Sequence, residues 1–465
     1  MITNSSQPQS LLPTNAPHHK PGLFGRMGDQ LVTSPTSDGP TIEVLARSVP
    51  ATKPRGAQAT AVQNAPLPVP HAVRHWQLDE SLTYLNHAQY GATPARVMRA
   101  QAQIRERMER DPTRFLKVDL EPMMDGVREK LGPFLGCSPA DLGMMRNATY
   151  ALCTILRNTP FKAGDEILIT DQEYPSLQNE LDRLQATQGV KIVKAVIPFP
   201  IASAHVVLER LMALLTPKTR MVMVSHITSA SAMIYPVASI VREMNERGID
   251  TVIDGAHSPG QIHVDLSAMR PTYFVGSGHK WLSGPKGIGF FYVRPDKQHL
   301  FRPLALSGRA HKVRPNRALF LRDYDYQGTD DYSAILTLPT AIETMGSLLP
   351  GGWNALMRHN HELALAGREI VCNALGIEPP SPTSMIGGMV TLPLPEAPPH
   401  LRNRPTCYDD ALQDVLLERH RIVTPIWRLN GSDQRVVRFS AQLYNTLEQY
   451  ELLGKALKIE LAREQ

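Results

Sequence analysis

From Asp141 onward the chain alternates short, almost wholly apolar runs with stretches whose apolar residues recur at helical spacing. That alternation predicts an open, mainly parallel α/β sheet. Strands are expected over 142–146 (LGMMR), 166–170 (EILIT), 191–197 (KIVKAVI), 220–227 (RMVMVSHI) and 249–254 (IDTVID), and on both sides of a Gly/Pro-rich turn within 273–293. Helical patterns fall between them, over 148–157, 175–186, near 204–215 and near 236–247. Runs that are apolar on both faces suit strands covered by helices on both sides of the sheet.

The same reading places an arm upstream and a second layer downstream. YLNHAQYGATP (84–94) reads as a short strand leading into a glycine turn, and Pro94 as the first residue of a helix running to about 109. Met123, Val127, Leu131 and Phe134 sit at helical spacing within 122–135 and read as core. After 336, helices over 353–375, 408–419 and 446–463 interleave with strands over 388–392 and 436–440, a pattern for a smaller α+β domain.

Residues 1–72 break the patterning, being rich in Pro, Ser, Thr, Ala and Gln with few periodic apolar positions. Such a segment is expected to be disordered, and it has neither the layout of a secretory leader nor a twin arginine. Its adjacent His18 and His19 read as part of a solvated tail rather than as a metal site. The expected organisation is therefore an extension (1–72), a large α/β domain with an N-terminal arm (73–335) and a small α+β domain (336–465).

Composition narrows the function classes. A net charge of +5 over 465 residues, without an extended basic run, argues against nucleic acid as a partner. Cys137, Cys153, Cys372 and Cys407 lie far apart with no CxxC pair, which predicts neither zinc nor a disulfide framework and suits a reduced, cytoplasmic protein. No apolar stretch approaches membrane-spanning length.

Candidate chemistry collects where the expected strands end, the place where open α/β sheets bind ligands. Lys280 follows an apolar run and Ser277, Gly278 and His279; small neighbours there allow close approach of a ligand to a lysine able to act as nucleophile or Schiff-base former. Alone, it reads more readily as a surface lysine in a βα loop. Asp254, at the end of an upstream run, changes that reading, because an acid facing a pyridinium nitrogen and a lysine at an aldehyde carbon are what pyridoxal 5′-phosphate chemistry requires. Ala148 and Thr149 open a helix, where free amides and the helix dipole favour a phosphate. Ser277 and His279 can add bonds to that phosphate, Tyr174 offers a face for a ring to stack on, and His257 or Ser229 can reach a phenolic oxygen.

The motifs DGAHSPG (254–260), GSGHKWLSGPKGIGF (276–290), YQGTDD (326–331) and VRFSAQLYNT (437–446) resemble those of fold type I pyridoxal-phosphate enzymes of aminotransferase class V, from about residue 75 to the C-terminus. YLNHAQYG and RFSAQLYN look most like the isopenicillin-N epimerase-like group, which includes hercynylcysteine sulfoxide lyase-like C–S lyases. The resemblance implies a mainly parallel seven-stranded-type sheet plus the small domain. It implies that Lys280 bonds the cofactor aldehyde, that Asp254 pairs with the ring nitrogen, and that Tyr174 stacks on the ring. Ala148, Thr149, Ser277 and His279 would contact the phosphate. Gly328 and Thr329 would reach the phosphate of a neighbouring subunit, hence a homodimer with shared active sites. Arg438 would grip the substrate carboxylate, with Asn86 and His87 near the substrate.

Two departures bear on the reaction. The loop VTPIWRLNGSDQRVV (423–437) lacks the nucleophilic cysteine of the desulfurases, and Tyr174 stands where many relatives carry histidine. Trp427 and Arg428 read equally as pocket walls and as loop packing. The resemblance thus implies an amino-acid substrate that displaces Lys280, which then takes the α-proton. Elimination, epimerisation and transamination remain open, with a lyase favoured. A non-catalytic regulator would need a helix-turn-helix domain that 1–72 does not resemble, and a dinucleotide enzyme would need a GxGxxG turn that is absent from the first strand's end.

Overall fold

The computed structural model describes residues 71–465 apart from 313, 403, 430, 431 and 433. The expected extension therefore lies outside the described residues except for its last two, which belong to a short 3-10 turn, His71–His75.

Twelve strands are described: β1 (Thr83–Tyr84), β2 (Leu142–Met145), β3 (Glu166–Thr170), β4 (Lys191–Ala195), β5 (Thr219–Ser225), β6 (Asp250–Asp254), β7 (Tyr273–Ser277), β8 (Gly289–Val293), β9 (Met389–Pro393), β10 (Ile422–Val423), β11 (Ile426–Arg428) and β12 (Arg435–Ser440). Seven of them form one sheet in the order β2-β8-β7-β6-β5-β3-β4. Neighbours from β7 to β4 run parallel, whereas β8 is antiparallel to both β7 and β2. The period-2 alternation of each strand sorts its side chains between two cores. Leu168, Val222, Val224, Ile253, Phe274 and Phe290 face the helices Leu120–Phe134, His205–Met212 and Val237–Glu246. Ile167, Ile169, Met221, Met223, Val252 and Phe291 face the helices Ala148–Asn158 and Pro175–Gln188. Each such side chain, fully buried, contributes about 1.5–3 kcal/mol of transfer free energy, and this holds the strand ends in fixed register.

Two expectations from the sequence need correction. KIVKAVI is not a strand covered on both faces: β4 stops at Ala195, lies at the sheet edge and leaves Lys191 and Lys194 exposed, a charge placement that discourages edge-to-edge pairing. YLNHAQYG is not strand then turn: β1 is two residues long and His87–Tyr90 forms one helical turn that ends at Gly91, whose φ of 68° favours glycine.

The smaller layer is a three-stranded antiparallel sheet in the order β11-β12-β9, with its own core against the helices Gly352–Leu375 and Leu447–Glu464. Arg435 anchors β12 to Asp410 and Glu464, and three residues on, Arg438 points the other way along the same strand's register. β10 pairs in parallel with β1, so the arm is tied to the C-terminal part of the chain.

Candidate active site

The ends of β2, β3, β5, β6 and β7 border a cavity of about 670 Å3, which β11 and β12 close from the side of the small sheet. The wall includes Ala148, Thr149, Tyr174, Ser229, Asp254, His257, Ser277, His279, Lys280, Trp427, Arg428 and Arg438, so twelve residues singled out in the sequence come together. None of the four cysteines is in that wall, and all are free thiols.

Lys280 is set by what holds its loop. Three bonds clasp loop 280–286 to the arm: His87 Nε2 meets Lys280 O at 3.2 Å, Lys286 Nζ donates to Gly91 O at 2.9 Å, and Thr93 Oγ1 donates to Gly284 O at 3.0 Å. A Cβ at position 91 would collide with the main-chain oxygen of His279, so the clasp needs glycine there. The amine of Lys280 lies 2.9 Å from His257 Nε2. Burial, opposed by Asp254 and assisted by Arg438, brings the lysine down to about 8. His257 is held neutral by burial and by the cations near it, and its Nδ1 is buried with no partner among the described residues.

The lowered lysine carries a pH prediction. A neutral amine is the attacking form, and it predominates above a pKa of about 8. The rate at which apo-protein takes up pyridoxal phosphate, followed by visible absorbance, will rise about tenfold per pH unit at acid pH and level off above about 8. A rate independent of pH between 6 and 9 would contradict a desolvated Lys280 as the attacking group.

Asp254 ends β6 with its carboxylate buried, and Oδ1 accepts the amide of Ala256 at 2.9 Å. Burial raises it above the ordinary carboxyl range, against the pull of the Ala256 amide and of Lys280. Beside it, Glu173 is also buried; its two oxygens accept the hydroxyls of Thr170 at 2.7 Å and Ser225 at 2.6 Å.

At the β2 end, Asn147 caps the helix Ala148–Asn158 by accepting the Tyr150 amide at 3.0 Å, which leaves the amides of Ala148 and Thr149 as the helix-start donors for an anion. His279 faces the same wall, but its Nδ1 is 3.3 Å from Ile288 O, and a carbonyl can only accept. The neutral ring, lowered to about 4 chiefly by burial, thus has no second N–H to give; it would contact a phosphate as imidazolium, a state the phosphate charge itself favours.

Arg438 is 1% exposed, its Nη1 donating to Ser229 O at 2.7 Å and meeting Ser229 Oγ at 3.2 Å, with its guanidinium carbon 4.7 Å from the Trp427 ring centre. No carboxylate is paired with it among the described residues, and burial lowers it to about 9. A desolvated guanidinium without an acid partner is a site for an incoming carboxylate. Ser229 therefore serves Arg438 in this arrangement.

Other singled-out residues lie elsewhere. His87 is fully buried, with Nδ1 2.8 Å from Tyr444 OH, and Asn86 donates to Gln89 Oε1 at 2.5 Å; neither is in the cavity wall. Gln89 and Tyr90, from the same segment, are. Gly328 and Thr329 are also outside this wall, Thr329 Oγ1 lying 3.0 Å from Tyr326 OH. Gln172, Glu173 and Asp409 line the cavity without having been singled out; position at a strand end was the available signal for the first two.

The donor set fits pyridoxal 5′-phosphate: helix-start amides with Thr149 and Ser277 at one end, Lys280 and Asp254 between, and an unpaired buried guanidinium at the other end. The described residues contain no group of three or more His, Cys, Asp or Glu side chains that could hold a metal ion. No described helix is long and apolar enough to cross a membrane.

Residues 83–453 match the family model described as aminotransferase class-V. An isopenicillin N epimerase of Amycolatopsis lactamdurans is 33% identical over 395 residues, covering 82% of this chain and 96% of that relative. A hercynylcysteine sulfoxide lyase of Schizosaccharomyces pombe is 24% identical over 331 residues, covering 70% of this chain and 83% of the relative. Among solved structures, the complex of the cystine C–S lyase C-DES with its reaction product cysteine persulfide superimposes with a TM-score of 0.68 at 20% identity, covering 81% of this chain and 97% of that one; it shows the shared fold.

Proposed function

The chain belongs to the aminotransferase class-V family, and from that membership we propose that it is a lyase cleaving a bond at the β-carbon of an amino acid, with a carbon–sulfur bond as the favoured case. It is a pyridoxal-phosphate-dependent, fold type I enzyme acting on amino acids or their derivatives. When bound, the cofactor supplies an electron sink for the charge left at the α-carbon. Arg438 clamps the substrate carboxylate bidentately, and Ser229 holds the guanidinium in place. Lys280, once displaced, removes the α-proton; its lowered pKa suits a base at neutral pH. The β-substituent then departs with its bonding electrons, and water hydrolyses the released enamine to a keto acid and ammonia.

The observation that carries this reading is one buried amine and one buried, unpaired guanidinium facing a single cavity with no thiol in its wall. Base and clamp suffice for elimination. A desulfurase would need a cysteine to take up sulfur, and inversion would need a placed acid on the face away from Lys280. The wall's phenols are Tyr90 and Tyr174, and Tyr174 is already given the task of stacking on the cofactor ring. Epimerisation is the second reading, favoured by the similarity across 96% of the A. lactamdurans relative.

Incubating the holoenzyme with S-substituted cysteines and with peptides bearing an amino-acid end, in deuterated water, separates the outcomes. Keto acid with ammonia supports the lyase. Deuterium at an inverted α-carbon without keto acid replaces it with the epimerase, and keto acid without ammonia points to transamination.

The proposal extends to a cytoplasmic homodimer with shared active sites. Gly328 and Thr329 outside their own cavity, the exposed Leu304, Leu306 and Leu319 in the same stretch, and four free cysteines support it. The division into 73–335 and 336–465 is proposed likewise, supported by the separate core of the small sheet.

A further inference from the structure

Glu173 has no part in the chemistry above, yet it is buried in the same wall as Asp254. Its link to that residue is geometric. Ser225 ends β5 and donates to Glu173 at 2.6 Å, and Ser225 is also the register partner of Asp254 on β6. Thr170, the last residue of β3, holds the other oxygen at 2.7 Å. Neutral hydroxyls thus fix a carboxyl in one orientation behind a second carboxyl, at the carboxyl ends of three adjoining strands.

We infer that Glu173 is a positioning residue that, held by Ser225 and Thr170, places a second negative charge behind Asp254 and so keeps a proton on the cofactor's ring nitrogen. This rests on the proposed pyridoxal-phosphate chemistry. A protonated ring nitrogen facing Asp254 is a buried cation, and an added anion one strand away favours it over the neutral ring.

The neighbours are consistent with this. Burial and Asp254 raise Glu173 to about 7, with the Ser225 and Thr170 bonds opposing. Tyr235 beside it is pushed well above its ordinary range by burial, by Glu173 and by Asp171, and stays neutral. His226, next to Ser225, is lowered to about 4 by burial and is neutral as well. Lys280, Arg438 and the neutral His257 belong to the same wall.

The test is a pH titration of the holoenzyme's visible absorbance for wild type, Glu173→Gln and Ser225→Ala, with thermal unfolding of the apo-proteins over the same range. Removing the charge should move the midpoint of the visible band down by about one pH unit. Ser225→Ala, which leaves the carboxyl but weakens its anionic form, should move it the same way by less. In the apo-protein the raised carboxyl contributes stability that is complete below its unfolded value and lost as pH rises through about 7. Wild type should therefore lose thermal stability between about pH 5 and 7 relative to Glu173→Gln. Should Glu173→Gln fail to fold or to take up cofactor, Ser225→Ala carries the same comparison. Coloured variants with the wild-type midpoint overturn the inference alone; a wild-type protein that never becomes coloured overturns it together with the proposed function.

Discussion

Lys280→Ala protein, purified with excess pyridoxal phosphate, will lack the visible absorbance of the wild type, will not be trapped by borohydride, and will lose at least about a thousandfold in turnover. The size follows from two losses at one position. The amine is the covalent anchor for the cofactor aldehyde and the base for the α-proton, and His257, its 2.9 Å neighbour, is held neutral in a buried position without the reach of a lysine. Folding should survive, because none of the three bonds that hold the loop involves the lost side chain: two are to the main-chain oxygens of Lys280 and Gly284, and the third runs from Lys286 Nζ to Gly91 O. An Ala variant that stays coloured and is still reduced by borohydride would mean that another amine holds the cofactor.

Asp254→Asn separates binding from catalysis. The amide keeps the shape of the carboxylate and can still accept from Ala256, so cofactor uptake and the Lys280 link should persist. What disappears is the charge that holds a proton on the ring nitrogen. Turnover should fall about a hundred- to a thousandfold, the scale seen when one preorganised electrostatic contact is removed from a reaction centre. The fall should sit in kcat, with KM little changed, since Arg438 still grips the carboxylate. An Asn variant within twofold of wild type would remove Asp254 from this role.

What the sequence makes legible here is local. The apolar run 273–277 followed by small residues and a lysine is visible because β-period burial and the strand end are both encoded within a few residues. The same holds for Asp254 and for Ala148–Thr149. Strand direction is not local: nothing within 142–146 says that β2 pairs antiparallel with β8, some 150 residues away. Glu173 reads as an ordinary loop acid until β5 brings Ser225 against it. His87 sits in a segment suited to substrate contact, and only the approach of Tyr444 and the Lys280 carbonyl turns it into an internal prop. The role of Arg438 depended on resemblance, because its partner Ser229 lies 209 positions away.

The arm that clasps the lysine loop also sets a schedule. β1 has its pairing partner in β10, Ser440 Oγ donates to Leu85 O at 2.9 Å, and Tyr444 braces His87. A ribosome delivers the arm first, Lys280 in the middle and these braces near the end. Until the last of them has emerged, β1 has no pairing partner and His87, which meets Lys280 O, is not braced by Tyr444. A chain cut short before residue 422 lacks β10, Ser440 and Tyr444, so the arm that holds the lysine loop loses all three braces.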